Sequence, residues 1–426
     1  MSRSTKVVIV GAGIAGLTCA YRLRQAGVES LVIEASDRVG GRILGFQVHG
    51  RAIQLGGRWT GPGQDRLEAL TAELGLRKVD VRSMDDISDS QAGVSPERIA
   101  VVRLLDTLAA RVPLESPWLA PDAEQLDAQT LHSWLSQHAT EDDARSISGT
   151  LTGFLPEARD VSLLHTLFYL HSNGGLAAIM GLDDVLHDSE MIDGGAHRLI
   201  ESLAATVNDQ LILSSPVHEI VTHEQGLRVL GGGGEIQAEH AIVAVPPTLA
   251  GRLRFSPAMP PDRDYLTQRM PIRGKVCFAV LFDQPFWRIA GRSLYSNENM
   301  TAWDEGGDDE PYCLSGLVSI PRSRELGRLD EQQRKLAVIA DLTELIGEQI
   351  QTLVGYYDVN WAAEPWTRGC NSFLPPGVWT AYGHALRPAV GRVHWAGAEY
   401  SPVFVGQMDG AIRCAEAVVA KLTQNT

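Results

Sequence analysis

The sequence predicts an α/β fold with more than one domain, and three observations carry this prediction. The chain has 426 residues, more than a single hydrophobic core usually serves. Residues 7–10 read Val-Val-Ile-Val, a continuous apolar run typical of a strand buried on both faces of a parallel sheet. A helical pattern then runs to Arg24, Gly27 ends it, and a second apolar strand follows at residues 31–33. This order predicts a βαβ unit, because parallel strands need a crossover connection between them.

Composition narrows the class of protein. Hydrophobic residues make up 44% of the chain and charged residues 21%, as in soluble globular proteins. The formal net charge of −15 and the lack of a basic stripe argue against nucleic acid as a partner. The five cysteines are scattered, which indicates free thiols in a reducing compartment and no metal site. The sequence shows neither a signal-peptide core nor a membrane-spanning apolar run, so we expect a cytoplasmic protein without a membrane partner.

The turn after the first strand carries the first chemical signal. It reads Gly-Ala-Gly-Ile-Ala-Gly at residues 11–16. Gly11 permits a tight turn, Gly13 lets the backbone approach a pyrophosphate, and Gly16 lets helix and strand pack closely. Glu34 ends the second strand, where its carboxylate accepts hydrogen bonds from both ribose hydroxyls. A glycine-rich turn without a ligand would not explain Glu34. The unit therefore predicts a bound dinucleotide, contacted by Gly11, Gly13, Ile14, Ala15, Gly16, Glu34 and Ala35.

Two further glycine pairs distinguish FAD from NAD. Residues 37–42 read Asp-Arg-Val-Gly-Gly-Arg, and residues 54–59 read Gln-Leu-Gly-Gly-Arg-Trp. This pattern resembles the flavin amine oxidase family, which includes monoamine oxidases, polyamine oxidases and L-amino-acid oxidases. The resemblance implies FAD as the cofactor, with Arg42 on its phosphates. Solvated surface charge is the alternative interpretation of Arg42 and Arg58. The cofactor-contacting residues implied here are Gly40, Gly41, Arg42, Gly56, Gly57, Arg58 and Trp59.

The resemblance continues in the middle and at the end of the chain. Residues 214–217, Ser-Ser-Pro-Val, resemble the family segment whose backbone pairs with adenine, which implies this role for Val217. Residues 393–399 resemble the final strand and the flavin-contacting turn, which implies cofactor contacts for Gly397 and Glu399. The last helix opens at Gln407 and Met408. In the family its N-terminus faces the flavin pyrimidine ring, where a helix dipole favours the reduced anion.

Because these segments are far apart, the predicted Rossmann-type FAD-binding domain is discontinuous. We assign it residues 1–78, 190–250 and 366–426. Residues 79–189 and 251–365 are expected to form an α+β substrate-binding domain with a mixed sheet and helices. The first of these stretches is largely helical in pattern, and the second contains a strand-like run at 276–282 and a helix from about 330 to 346. The four glycines at 231–234 predict a hairpin loop, because no helix follows them.

Lys275 is the candidate catalytic residue. It opens a predicted strand after Arg273 and Gly274, and it resembles the family lysine that holds a water against flavin N5. The resemblance implies that Lys275 orients this water and favours reaction of the reduced flavin with oxygen. The alternative is an exposed lysine at a strand edge, since lysines are rarely buried.

Two positions near the C-terminus concern flavin attachment. Trp361 resembles a family tryptophan that packs by the flavin, with a core aromatic as the alternative. Cys370 follows nine residues later, the spacing at which mammalian monoamine oxidases bind the flavin covalently. The distance from Cys370 to Pro375 is one residue short of that family pattern. We therefore expect non-covalent FAD, with a covalent link at Cys370 as the alternative.

The substrate side departs from the family. The two tyrosines that form an aromatic cage in monoamine oxidases fall on Asn371 and Gln407, so a cage of that kind is absent. Their amides could hydrogen-bond a polar substrate instead. Alternatively, Phe373, Trp366 or Trp303 takes over the aromatic role.

The resemblance implies FAD-dependent oxidation of a small-molecule amine. A hydride equivalent passes from the α-carbon to flavin N5, the resulting imine hydrolyses, and O2 reoxidises the flavin with release of H2O2. One alternative is a desaturase or dehydrogenase that acts on a larger C–N or C–C substrate with a non-oxygen acceptor. Another is a flavin-binding protein without catalysis, which Asn371 and Gln407 favour and Lys275 argues against. The sequence does not determine the oligomeric state; a homodimer is the commonest one among oligomers and is the possibility considered for this chain.

Overall fold

The computed structural model describes residues 3–80, 94–180, 182, 190–290, 293–307, 310–347 and 353–424. The described strands are β1 (Arg3–Val10), β2 (Ser30–Ile33), β3 (Gly45–Val48), β4 (Arg51–Gln54), β5 (Trp59–Thr60), β6 (Lys78–Asp80), β7 (Glu190–Ile192), β8 (Leu211–Ile212), β9 (Val217–His223), β10 (Gly226–Gly231), β11 (Gly234–Val243), β12 (Arg254–Ser256), β13 (Val276–Phe282), β14 (Leu294–Ser296), β15 (Met300–Asp304), β16 (Tyr312–Val318), β17 (Leu353–Asn360) and β18 (Val393–Trp395).

The described α-helices are α1 (Ile14–Gln25), α2 (Asp65–Glu73), α3 (Pro96–Ala109), α4 (Ala123–Asp127), α5 (Leu131–His138), α6 (Glu141–Leu151), α7 (Leu163–Ser172), α8 (Leu176–Ile179), α9 (His197–Thr206), α10 (Pro247–Ala250), α11 (Pro261–Gln268), α12 (Ile320–Leu326), α13 (Glu331–Ile346), α14 (Val378–Tyr382) and α15 (Met408–Gln424). None of these described helices is both long enough and apolar enough to cross a membrane.

The largest sheet contains the predicted βαβ unit. Its strands lie in the order β12–β9–β10–β11–β1–β2–β8, and β18 pairs with the end of β11. β1 runs parallel to both β2 and β11, and α1 connects β1 to β2. The apolar run at residues 7–10 is buried, because β1 lies in the middle of the sheet. Both predicted strands and the helix between them are confirmed.

The same sheet becomes antiparallel towards one edge. β10 pairs antiparallel with β11, and the glycine run at 231–234 forms the turn between them, as predicted. β9 pairs antiparallel with β10 and parallel with β12. The eight-stranded sheet is therefore mixed, with its parallel part around β1.

A second sheet has the order β14–β15–β16–β13–β17. We expected a mixed sheet in the substrate-binding domain, but every described pair in this sheet is antiparallel. The reason lies in the connections: neighbours such as β14 and β15 follow each other directly in the chain, and a short turn between consecutive strands reverses their direction. β13 has the bounds predicted from the sequence.

The two faces of β13 pack against different neighbours. Phe278 and Val280 face a cluster that includes Val338 of α13, and α13 begins at a capping box on Asp330, close to its predicted start. The alternate side chains of β13 pack against the β3–β4 hairpin. Because side chains alternate along a strand, Lys275, just before β13, lies on the hairpin side.

The helices between residues 96 and 179 share one continuous hydrophobic core with the eight-stranded sheet. A small sheet in the order β5–β7–β6 joins three distant chain segments. The domain boundaries proposed from the sequence stay a prediction, and the boundary at residue 189 lies outside the described residues.

Candidate functional site

A cavity of about 360 Å³ opens at the carboxyl ends of β1, β2 and β11. Ligands of open α/β sheets bind outside the carboxyl ends of the strands. The cavity brings together most of the site residues predicted from the sequence. Those that line it are Gly11, Gly13, Ile14, Ala15, Glu34, Ala35, Gly40, Gly41, Arg42, Gly57, Val217, Cys370, Asn371, Gly397, Gln407 and Met408. The predicted residues that do not line it are Gly16, Gly56, Arg58, Trp59, Lys275, Trp361 and Glu399.

The glycine turn has the geometry that its sequence predicts. Gly11 has φ +107°, and a Cβ there would lie 2.9 Å from the carbonyl oxygen of Ala244. A Cβ on Gly16 would collide with the carbonyl oxygen of Gly11, so this glycine permits the close packing of helix and turn rather than lining the cavity. At Gly13 the nearest atom to a Cβ is 4.0 Å away, the carbonyl oxygen of Gly40. A side chain at Gly13 would therefore enter the space that a pyrophosphate needs at the start of α1.

Glu34 is fixed in place by the backbone. Its carboxylate accepts hydrogen bonds from the N–H groups of Ala12 at 2.6 Å and Ser36 at 2.8 Å, and it is 7% exposed. Each carboxylate oxygen has a further acceptor position. A buried, oriented carboxylate in the cavity wall matches the requirement of a ribose with two hydroxyl groups.

Arg42 connects the cavity to a buried acid behind it. The guanidinium donates to Oε1 of Glu399 at 2.5 Å and to Oε2 at 2.9 Å, and also to the carbonyl oxygen of Cys370. Burial opposes ionisation of Glu399, but the adjacent Arg42 outweighs it and lowers the pKa of this carboxyl. Glu399 is therefore the counter-ion of Arg42 in this structure, and contact of either residue with FAD stays a prediction.

Arg58 is buried rather than solvated, so the surface-charge interpretation of this residue is wrong. Its side chain is 4% exposed and forms a two-pronged ion pair with Glu305. The guanidinium lies 4.8 Å from the ring of Trp59 and 5.3 Å from that of Trp303, within cation–π range. This cluster holds the segment after Gly57 against β15. The expected contacts of Arg58 and Trp59 with the flavin ring stay predictions.

Lys275 is also buried, at 6% exposure, which contradicts the exposed-lysine alternative. Burial, assisted by the cation of Arg273, lowers the pKa of Lys275 from 10.5 to about 7. Within the described residues its ammonium group has no ion pair or hydrogen bond. Cys370, on the cavity wall, is among the groups that act on it electrostatically.

Two neighbours of Lys275 have structural partners. Arg273 donates to the carbonyl oxygens of Thr152 and Gly153, each at 2.8 Å, and so caps the C-terminus of α6. Trp361 is 3% exposed within the core between the β3–β4 hairpin and the second sheet, and its indole N–H donates to the carbonyl oxygen of Leu55 at 2.9 Å. The core-aromatic interpretation of Trp361 agrees with this packing.

The substrate side carries amides in place of an aromatic pair. Asn371 and Gln407 both line the cavity. Gln407 hydrogen-bonds to the hydroxyl of Tyr169, a buried residue for which the sequence had no signal. Of the proposed aromatic substitutes, Trp366 lines the cavity, Phe373 is buried in the core, and Trp303 belongs to the Arg58 cluster.

Sequence reasoning also missed part of the cavity wall. Arg38 lies between Glu34 and Gly40 in a segment already assigned to the cofactor. The missed residues that follow β11, up to and just beyond α10, could have been expected, because they follow the carboxyl end of a parallel strand. They are Ala244, Val245, Pro246, Leu249 and Arg252.

The residues present fit FAD. Gly13 leaves space for a pyrophosphate, Glu34 presents an oriented carboxylate, and Arg42 supplies a cation in the same wall. The part of the chain that the structure describes contains no group of three or more His, Cys, Asp or Glu residues placed to hold a metal ion.

Comparison with known proteins agrees with this geometry. Residues 14–422 match the family model for flavin-containing amine oxidoreductases. An L-amino acid dehydrogenase of Synechocystis is 34% identical over 98% of this chain and 94% of its own length. A putative flavin-containing monoamine oxidase of Mycobacterium tuberculosis is 31% identical over 98% of this chain and 96% of its own.

Solved structures extend the likeness to the whole fold. Putrescine oxidase bound to putrescine superimposes with a TM-score of 0.88 at 27% identity, and each chain is covered completely. The family match spans both the FAD-binding segments and the second sheet. This chain therefore belongs to the flavin-containing amine oxidoreductase family and is an FAD-dependent oxidoreductase that acts on amines.

Proposed function

We propose that the protein oxidises a small amine at its α-carbon, releases the product as an imine that hydrolyses, and uses O2 as the electron acceptor with formation of H2O2. FAD, when bound, supplies the acceptor for the hydride equivalent. The residues predicted to hold it are those of the cavity wall, chiefly the glycine turn, Glu34, Arg42 and Val217. The protein's part is to position the amine and to control protons and water beside it.

The observation that carries this proposal is the environment of Lys275. A lysine with a pKa of about 7 and no partner in the described residues exchanges a proton near neutral pH and offers its nitrogen to a water molecule. Such a group has no evident structural purpose, since burying it opposes folding. A role in orienting water for flavin reoxidation accounts for a buried lysine at this position.

The test is an anaerobic titration of the FAD-loaded protein with a panel of primary amines, followed by admission of O2. Loss of the yellow flavin band on adding an amine, and H2O2 on reoxidation, are the expected results. Lys275→Met should slow reoxidation at least tenfold, whereas Lys6→Met, at an exposed lysine of β1, should not. If no amine bleaches the flavin, the proposed function is wrong. Unchanged reoxidation in Lys275→Met would remove the role of this lysine.

A second candidate is the oxidation of an α-amino acid with an acceptor other than O2. The observation in its favour is Arg273, a buried cation that pairs with no carboxylate among the described residues and lies two positions from Lys275. A substrate carboxylate would be attracted to this pair of basic groups. Similarity to the L-amino acid dehydrogenase adds support. Comparing L-amino acids with the amines that lack their carboxyl group, using O2 or a quinone dye as acceptor, distinguishes the two candidates.

A further inference from the structure

The two amides on the substrate side are both held at the cavity wall through their nitrogen atoms. Nδ2 of Asn371 donates to the carbonyl oxygen of Phe154 at 3.2 Å, and Nε2 of Gln407 donates to the hydroxyl of Tyr169 at 3.2 Å. A backbone carbonyl only accepts hydrogen bonds, so Asn371 must turn its nitrogen towards Phe154. The amide oxygens lie on the opposite side of each amide from its nitrogen atom and are the hydrogen-bond acceptors left for a ligand.

These oxygens have little other use within the described residues. Oδ1 of Asn371 has one weak contact, from Sγ of Cys370 at 3.8 Å, and Cys370 itself lines the cavity. Gln407 has its side-chain bond to Tyr169 through nitrogen alone. Gly406, the residue before Gln407, packs on Asn371: a Cβ on Gly406 would lie 3.3 Å from Nδ2. Both amides line the same cavity, and the oxygen of each is an acceptor without a strong hydrogen bond among the described residues.

We propose that Oδ1 of Asn371 and Oε1 of Gln407 bind the two N–H groups of a primary amine, and so make the enzyme select primary amines over N,N-dialkylated ones. This inference rests on the proposed amine oxidation. A neutral tertiary amine has no N–H to donate and would leave both acceptors unpaired. A site built to hydrogen-bond a substrate group discriminates strongly against an analogue that lacks it.

The neutral amides also suit the form of the amine that reacts. An amide oxygen accepts a hydrogen bond without a negative charge, so it does not favour the ammonium form as a carboxylate would. The buried acid Glu399 is paired with Arg42, so its negative charge is compensated. Tyr169 acts through Gln407 and is a positioning residue.

The experiment measures binding separately from turnover. The probes are α,α-dimethylbenzylamine, which has no α-hydrogen, and its N,N-dimethyl derivative, whose N-methyl groups do carry α-hydrogens. The flavin is therefore reduced with dithionite under anaerobic conditions beforehand, so that neither probe can be oxidised during the titration. Each is titrated into the FAD-loaded enzyme, and the change in the flavin absorption spectrum gives its Kd. We expect the primary amine to bind more tightly. Asn371→Leu and Gln407→Leu should each lower this preference about five- to tenfold, since each removes one hydrogen bond.

Two further variants separate the amide contacts from general disturbance of the wall. Tyr169→Phe should lower the preference in the native background but not in Gln407→Leu, because it acts through that amide. Asn173→Leu is the matched control: the Asn173 amide donates to the carbonyl oxygens of Tyr169, the partner of Gln407, and of Val405, but Asn173 does not line the cavity. It should leave the preference unchanged.

The outcomes are distinct. If the ratio of the two Kd values is the same in the native enzyme and both leucine variants, the inference is overturned. If it falls as much in Asn173→Leu, the amides are structural only and the inference also fails. If the ratio responds as expected but the enzyme oxidises no amine, the binding inference stands and the proposed function fails.

Discussion

Replacing Lys275 with methionine should stabilise the protein at neutral and acidic pH while impairing its chemistry. The buried lysine has a pKa of about 7 against an ordinary value of 10.5, because burial and Arg273 disfavour its charged form. The unfolded chain therefore holds one more proton than the folded chain between these two values. The free energy of unfolding therefore increases at this position as the pH rises from about 7 to 10.5, and it decreases as the pH falls through the same range.

The magnitude follows from the difference between the two pKa values. A difference of about 3.5, at 1.36 kcal/mol per pH unit, corresponds to about 5 kcal/mol of penalty below pH 7. Methionine has a similar length and no charge, so it removes this penalty. Lys275→Met should unfold with a free energy higher than that of the native protein by up to about 5 kcal/mol at pH 6, and the gain should vanish near pH 10.5.

The assay is urea unfolding of both proteins at several pH values from 6 to 10, in saturating FAD. Lys6→Met, which changes an exposed lysine on β1, is the matched control and should show no such trend. A constant difference across the pH range would mean that methionine only packs better. A Lys275→Met variant that is less stable at pH 6 would refute the reasoning that this ammonium group is buried without compensation.

Three other predictions concern the cavity and its support. Glu305→Gln leaves the Arg58 cation buried without its partner and should lower the free energy of unfolding by about 3–5 kcal/mol in the same urea assay. The double variant Arg58→Met, Glu305→Leu removes both charges and should recover most of that stability. If the single and the double variant lose equal stability, the ion-pair argument is contradicted. Gly13→Ala should fold normally, because the nearest atom to its Cβ is 4.0 Å away. It should bind FAD at least about tenfold more weakly, since overfilling a fitted site costs about 1–3 kcal/mol. If a fluorescence titration of the apoprotein gives the same Kd for FAD as in the native protein, the cofactor does not bind at this turn. Acid precipitation should release the flavin from the native protein and from Cys370→Ser alike, and a yellow pellet from the native protein alone would instead establish a covalent link at Cys370.

The sequence alone determined the features whose signals are local. The strand at residues 7–10, the glycine turn, the hairpin at 231–234 and β13 are all read from periodicity and from glycines at turns. Glu34 could be assigned to the site because the distance along one βαβ unit sets its position at the end of β2. Membership of the family followed from the same short segments.

The tertiary structure alone decided how distant segments combine. Arg58 stands beside a glycine pair in the sequence, yet its partner, Glu305, lies 247 positions away, directly after β15. Gln407 depends on Tyr169, 238 positions earlier, and Lys275 is buried although its residue type favours solvent. Periodicity and turn chemistry act over a few residues, whereas burial, ion pairing and pKa depend on which segments meet in space. For this reason the sequence determined the cofactor and predicted where it binds, and only the fold decided which charges are compensated and which polar atoms remain for a ligand.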